Sequence, residues 1–478
     1  QEINWRSVKS MLFTSLLFAA FFLVVYIVFW SIPNQKGKEF WLLIASIVFY
    51  GSWSLGFLVH FLAVVGINYY FIHLLHKNQS KRLINTAVII NLVNLGLFKY
   101  FYFFTDIFAS LSGISALTNL RTSTTFKIIL PLAISFYTFQ MLAYIIDVYR
   151  KKVEKEISLL DFSIFILFFP QLIAGPIMRS QDFLPELKNI KAKPEYLSPG
   201  LSFIALGILK KVLIADNLAL LIDPVWTAPA NYDWITILLV AHAFTWQIYC
   251  DFSGYTDIAR GCAFLLGFRI PENFRSPFLA DSARDLWQRW HVTLSTWLRD
   301  YLYIPLGGNR QGEFRSYINL ILTFTLGGLW HGANFTYILW GFYHGVILAL
   351  ERVFERFNWR ITSTSFLWKL VCIFYAYHVF VIGAIMFRSN NMSDYLLIMT
   401  KILTVSSDFA LRISVTDFET ILYLCFFSFL IQLAQYFETV PNWILKSRKV
   451  LIPLSYIILL FLISLYSKSG KEFVYFQF

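Results

Sequence analysis

Residues 316–350 read SYINLILTFTLGGLWHGANFTYILWGFYHGVILAL, a stretch of 35 residues without one Asp, Glu, Lys or Arg. A helix needs about 20 residues to cross the hydrocarbon core of a bilayer. The stretch is too long for one span, so it must bend or break inside membrane-like sequence. Gly327, Gly328 and Gly332 mark the break, and Leu329-Trp-His331 lies between them. Irregular backbone at membrane depth persists only where protein buries it or a water-filled cavity satisfies it. An imidazole at such a break makes His331 the leading candidate for a functional group. The plainer alternative is a hydrogen bond that staples two half-helices together.

Composition agrees with this reading. Of 478 residues, 58% are hydrophobic and 14% charged, against the roughly 45–50% and 25% of soluble domains. The 50 Phe, 26 Tyr and 15 Trp exclude disorder and collagen-like repeats. The apolar runs are continuous rather than alternating, which argues against a β-barrel and for an all-α polytopic membrane protein. The net charge of +12 is scattered over short loops, which fits cytoplasmic loops and anionic lipid headgroups and argues against nucleic acid as a partner. Cys250, Cys262, Cys372 and Cys425 form no CxxC pair and read as small buried hydrophobes.

Outward from residues 316–350, apolar runs recur at Met11–Trp30, Phe40–Leu75, Leu83–Phe104, Ile128–Val148, Leu159–Ala174, Leu201–Ile222, Trp234–Phe252, Phe366–Phe387, Thr420–Phe437 and Leu451–Tyr466. With the longest runs counted twice, they predict about 11 to 13 membrane segments. Met11–Trp30 exceeds the 7–15 apolar residues of a signal peptide and reads as the first span. Residues 11–478 read as one domain behind a short extension, 1–10. Charge runs such as Lys77–Arg82, Arg150–Glu156 and Lys446–Lys449 mark boundaries.

Ser282 and Asp285 form a capping-box pattern ahead of Leu286, Trp290, Leu294, Trp297 and Leu298, which fall on one helical stripe. Arg284, Asp285, Arg289, Arg299 and Asp300 make this helix too charged to span. It is expected to lie in or enter the membrane surface, with His291 at the edge of the stripe. A headgroup-facing imidazole is the bland reading of that residue. The Asp251-Phe-Ser-Gly-Tyr-Thr-Asp257 run could bind a cation or move protons, but reads more plainly as a helix-ending turn. Lys210-Lys211, inside an apolar run, should snorkel or face a polar vestibule. Signatures of serine hydrolases, P-loops and common zinc sites are absent from the sequence, so no metal is expected.

Two motifs carry a family resemblance. Arg289–Gly308 (RWHVTLSTWLRDYLYIPLGG) followed by Gly328–Gly332 (GLWHG) resembles the paired-histidine signature of the membrane-bound O-acyltransferase family. Ser135–Gln140 (SFYTFQ), Tyr144–Arg150 (YIIDVYR), Phe169–Pro176 (FPQLIAGP), Asp251–Asp257 (DFSGYTD) and Phe473–Phe478 (FVYFQF) are similar to its bacterial branch, which acylates alginate and teichoic acid. The resemblance implies a ring of tilted transmembrane and re-entrant helices around a central funnel or tunnel. It implies catalytic roles for His331 and His291. Beside the pair, Trp330 and Trp340 either line the tunnel or serve packing, and with Asn334 and Arg289 they are the candidate substrate-binding residues.

The activity so implied is O-acylation. The expected acyl donor is acetyl-CoA, used as a substrate rather than a tightly bound cofactor, and the expected acceptor is an extracytoplasmic polysaccharide, reached directly or through the partner acyltransferase that the family resemblance implies. D-alanyl transfer from a carrier protein to teichoic acid is the alternative within the class. The chemistry is consistent: a hydroxyl is a poor nucleophile, and a neutral imidazole can take its proton as attack begins, with burial favouring the neutral form. A proton-coupled transporter is the alternative from another class. It should show two related halves with matching broken helices, and no such pairing is visible. The expected location is the bacterial inner membrane, crossed many times.

Overall fold

The computed structural model describes residues 11–114, 120, 128–153, 155–173, 175–357, 365–404 and 411–437. The expected segment Leu451–Tyr466, the charge run Lys446–Lys449, the terminal Phe473–Phe478 and the extension 1–10 lie outside them. The described residues are helical throughout, with α1 (Leu16–Ser31), α2 (Gln35–Gly51), α3 (Leu55–Lys77), α4 (Lys81–Lys99), α5 (Phe101–Ser112), α6 (Ile134–Tyr149), α7 (Leu159–Leu167), α8 (Ser180–Leu187) and α9 (Leu197–Ile208). A π-helical segment, Leu209–Ala215, joins α9 to α10 (Asp216–Thr227). There follow α11 (Trp234–Leu265), α12 (Ala283–Arg289), α13 (Val292–Leu298), α14 (Glu313–His331), α15 (Phe335–Arg356), α16 (Phe366–Arg388), α17 (Met392–Leu403) and α18 (Val415–Phe437).

Short polar punctuation sets the helix starts. Ser15, Asn34, Ser54 and Ser80 each accept a backbone N–H of the first turn, satisfying donors that hydrocarbon could not. Among the described residues five helices, α3, α4, α11, α16 and α18, are long and apolar enough to cross a membrane, against the 11 to 13 segments expected. The shortfall has visible causes. The run 40–75 is divided at Ser52–Ser54, leaving α2 only 17 residues; 159–174 is broken beside Pro170; 201–222 carries a π segment and two lysines; and residues beyond 437 are not described. Outward faces of α3 and α4, such as Val59, Tyr70, Val93 and Leu97, are exposed and apolar, as contact with lipid requires.

The chain divides into two compact units, Gln1–Ile204 with Thr256–Pro271, and Ala205–Tyr255 with Glu272–Phe478. In the first, Phe18, Phe49 and Phe169 pack ring on ring. Buried amides hold its polar seams: Gln171 donates to Gln140 at 2.7 Å, and Asn91 to Asn68 at 2.7 Å.

The second unit is built on the α14–α15 hairpin. α14 does not break at Gly327 or Gly328 as its glycines suggested. It runs to His331, and the chain turns at Gly332–Asn334. The glycines serve close approach instead: a Cβ on Gly328 would lie 2.1 Å from the Tyr337 carbonyl oxygen, and one on Gly341 would lie 2.2 Å from that of Phe324. Backbones this close exchange packing contacts that larger residues forbid. Gly328→Ala should therefore destabilise the protein by about 1–3 kcal/mol, seen as a lower melting temperature in detergent. An unchanged melting temperature would show that the hairpin tolerates a wider spacing.

Candidate active site

The amphipathic stretch 282–300 folds as two short helices rather than one. Ser282 caps α12 as its sequence predicts, accepting the Asp285 N–H at 3.1 Å, and Leu286, Trp290, Leu294, Trp297 and Leu298 are all buried. The break falls at His291, which adopts φ 45° and ψ 52°, the left-handed region. For a residue with a Cβ that conformation costs of order 1–3 kcal/mol and persists only where the surroundings enforce it. Here Asn273 enforces it. Its carbonyl accepts the Val292 N–H at 3.0 Å, while its side-chain oxygen accepts the Thr293 N–H at 3.2 Å and hydroxyl at 2.9 Å.

His291 does not face headgroups. It is 1% exposed, with the Phe252 ring edge-on at 4.8 Å and the Trp330 indole at 6.4 Å. Neither of its ring nitrogens has a hydrogen-bond partner among the described residues, an uncommon state for buried polar atoms. Burial pushes its pKa down to about 3, so the ring is neutral at physiological pH. It accepts a hydrogen bond more readily than a proton.

His331 ends α14 and is 6% exposed. Trp330, Trp340 and Phe387 surround its ring at 5.0, 5.0 and 5.3 Å between centroids. Trp330 therefore stands within 6.4 Å of both histidines, which the sequence separates by forty positions. Two ties bring their elements together. Glu351 of α15, buried, accepts the Ala283 and Arg284 N–H groups at 2.7 and 3.0 Å, capping α12 with negative charge where the helix dipole favours it. Trp287 of α12 packs against Trp340 and His344 of α15, at 5.6 and 5.1 Å.

The other sequence candidates have definite places. Trp330 and Trp340 line the histidines. Asn334 caps α15, accepting the Thr336 N–H at 3.1 Å and donating to the Asn390 carbonyl at 2.8 Å. Arg289 donates to Asp285 at 2.8 Å and lies over the Tyr436 ring. Asp251–Asp257 is not a helix-ending turn: it lies in the middle of α11. Lys210 and Lys211 neither snorkel nor face a vestibule, being almost fully buried. Asn273, Phe252 and Phe387 escaped the sequence reading, for nothing local distinguishes them from packing residues. A polar cavity of about 800 Å³ opens beside the start of α12, lined by Arg284, Glu313, Arg352 and Glu355 among others. Its Arg284 pairs with Glu355 and its Arg356 with Glu313, so it is a charge-balanced, solvated recess. No cluster of metal ligands occurs among the described residues.

A buried pair of imidazoles enclosed by aromatic rings in an all-helical membrane protein suits acyl transfer, and comparison with known proteins agrees. The profile of the membrane-bound O-acyltransferase family matches residues 150–396. The chain is 40% identical to the probable alginate O-acetylase AlgI of Pseudomonas putida over 80% of its own length and 78% of that protein's. It is 34% identical to the peptidoglycan O-acetyltransferase of Helicobacter pylori, over 83% and 80%. A teichoic acid D-alanyltransferase of Bacillus subtilis is 32% identical over 48% and 60%. The chain belongs to the membrane-bound O-acyltransferase family. It is accordingly an acyltransferase, and a multi-pass inner-membrane protein.

Glu351→Ala would remove the acceptor of two N–H groups in the first turn of α12. A hydrogen bond to a charged group contributes about 1.5–3 kcal/mol, so the melting temperature should fall clearly, and less so for Glu351→Gln, which keeps an acceptor. Equal melting of all three proteins would refute the tie between α12 and the hairpin.

Proposed function

We propose that this protein transfers acetyl groups from acetyl-CoA, presented on the cytoplasmic side, toward hydroxyls of an extracytoplasmic polysaccharide. His331 acts as general base and His291 as the group that orients the donor or the developing charge. The observation that carries the reading is the convergence of both signature histidines on one indole, Trp330. The acceptor's hydroxyl oxygen attacks the thioester carbonyl while its proton passes to His331. The C–S bond then breaks, the proton goes to the departing sulfur, and an ester and a free thiol remain. Proton removal of this kind contributes roughly 10²- to 10⁴-fold. The weakly basic, unpartnered His291 suits the orienting role better than the proton-accepting one.

A polysaccharide acceptor is supported by the alginate and peptidoglycan relatives. In this reading Trp330 and Trp340 wall the passage by which substrate reaches His331. Arg289 and Asn334 act on substrate through the elements they hold, and a partner acyltransferase outside the membrane completes delivery where the polymer does not reach the tunnel.

In vesicles supplied with acetyl-CoA, His331→Ala should abolish acetyl transfer while the protein remains monodisperse in detergent. His291→Ala should lose at least about 100-fold, within the range a positioning group commands. Near-wild-type transfer by the His331 variant would overturn the assignment. Mass spectrometry of envelope glycans with and without the protein identifies acyl group and acceptor, and D-alanyl esters in place of acetyl esters would sink the acetyl reading.

A further inference from the structure

Besides Glu351, four charged side chains of the second unit are buried among its described residues: Lys210, Lys211, Asp216 and Asp251, each no more than 5% exposed. The Lys211 ammonium lies 2.7 Å from an oxygen of Asp216 and 2.6 Å from one of Asp251. Lys210 lies over the Tyr249 ring at 5.3 Å. The Lys211 ammonium is thus held between two carboxylates. Such a cluster is an expensive way to obtain stability, since well-packed apolar residues of similar volume often serve as well or better. Apolar contacts, however, tolerate rotation and slippage of one helix on another, whereas two short charged bonds converging on one nitrogen do not.

The backbone around the cluster is shaped for it. Both lysines lie in the π-helical segment 209–215, a distortion often found at functional sites. Gly254 of α11 lets that segment approach: a Cβ there would stand 2.8 Å from the Gly207 carbonyl oxygen and 3.1 Å from the Lys211 nitrogen. Asp251 is followed directly by Phe252, whose ring meets His291 edge-on at 4.8 Å and Phe274 at 5.0 Å. Phe274 in turn packs on Trp290 at 5.0 Å. Any rotation of α11 about its axis would move Phe252 across the imidazole.

We infer that Lys211 and Asp251 are positioning residues for His291: their ion pair fixes the rotation of α11 and so holds Phe252 against the imidazole in its left-handed turn. The catalytic part of this inference rests on the proposed role of His291; the structural part does not. The test treats wild type, Asp251→Asn, Lys211→Met and Phe252→Leu with diethyl pyrocarbonate in detergent and measures carbethoxylation of His291 and His344 by peptide mass spectrometry. His344 is fully buried on α15 and reports general loosening. His291 labelling should rise at least about threefold in Asp251→Asn and Phe252→Leu while His344 stays protected, with kcat down at least about tenfold and KM little changed, as a small misplacement of a site group produces. Unchanged His291 labelling in both variants, or His344 rising in parallel, would overturn the inference. Lys211→Met breaks the pair from its other side and should show the same rise at His291 with His344 protected, so the question is answered even if Asp251→Asn fails to fold. Labelling is read without any acyl transfer, so a wrong donor or acceptor leaves this result standing.

Discussion

In hydrocarbon a backbone N–H or C=O without a partner is costly, and that constraint governs where this chain can stop being helical. The two interruptions beside the histidines, Trp290–His291 and, directly after His331, Gly332–Asn334, are both closed by protein groups. Asn273 supplies acceptors on one side of the first, and Asn334 caps the helix that leaves the second. Each break thus becomes a rigid feature rather than a loose loop. His291, placed at such a break, keeps its position without occupying a helix face.

Rigidity at the two breaks would be useless if the elements bearing them could drift apart. Glu351 prevents this by capping α12 from α15, and the glycines of α14 and α15 prevent it by allowing backbone contact within the hairpin. Capping by a buried carboxylate is directional, whereas the aromatic contacts among Trp287, Trp340 and His344 fill space. The directional bonds decide which geometry is adopted, and the rings exclude water from it.

Much of this was legible in the sequence, and the limits of legibility have physical causes. The uncharged stretch 316–350 gave the hairpin, since no single helix of 35 residues fits a bilayer. His331 followed from its glycines, although those at 327 and 328 turned out to permit close packing rather than to break the helix. Ser282 gave the start of α12. The break at His291 was illegible because a left-handed turn at a non-glycine residue is imposed by Asn273, eighteen positions earlier, and local periodicity cannot register it. For the same reason the Asp251–Asp257 run read as a turn. Its carboxylate at 251 is neutralised by Lys211 from another helix, and a charge paired at long range does not end a helix.

The two histidines are buried to a similar degree but differ in what surrounds them. Three aromatic rings stand roughly perpendicular to His331, and a ring so bounded offers a reactant only the approaches that those indoles and Phe387 leave. His291 instead lies between an aromatic edge and a turn built from hydrogen-bonded backbone, its nitrogens unclaimed. A base must both bind and release a proton, which calls for a pKa near working pH; an orienting acceptor must stay neutral throughout, which deep burial ensures. Two imidazoles in one enclosure can divide these tasks only if their surroundings differ, and the left-handed turn at 291 is what gives the second ring a different environment from the first.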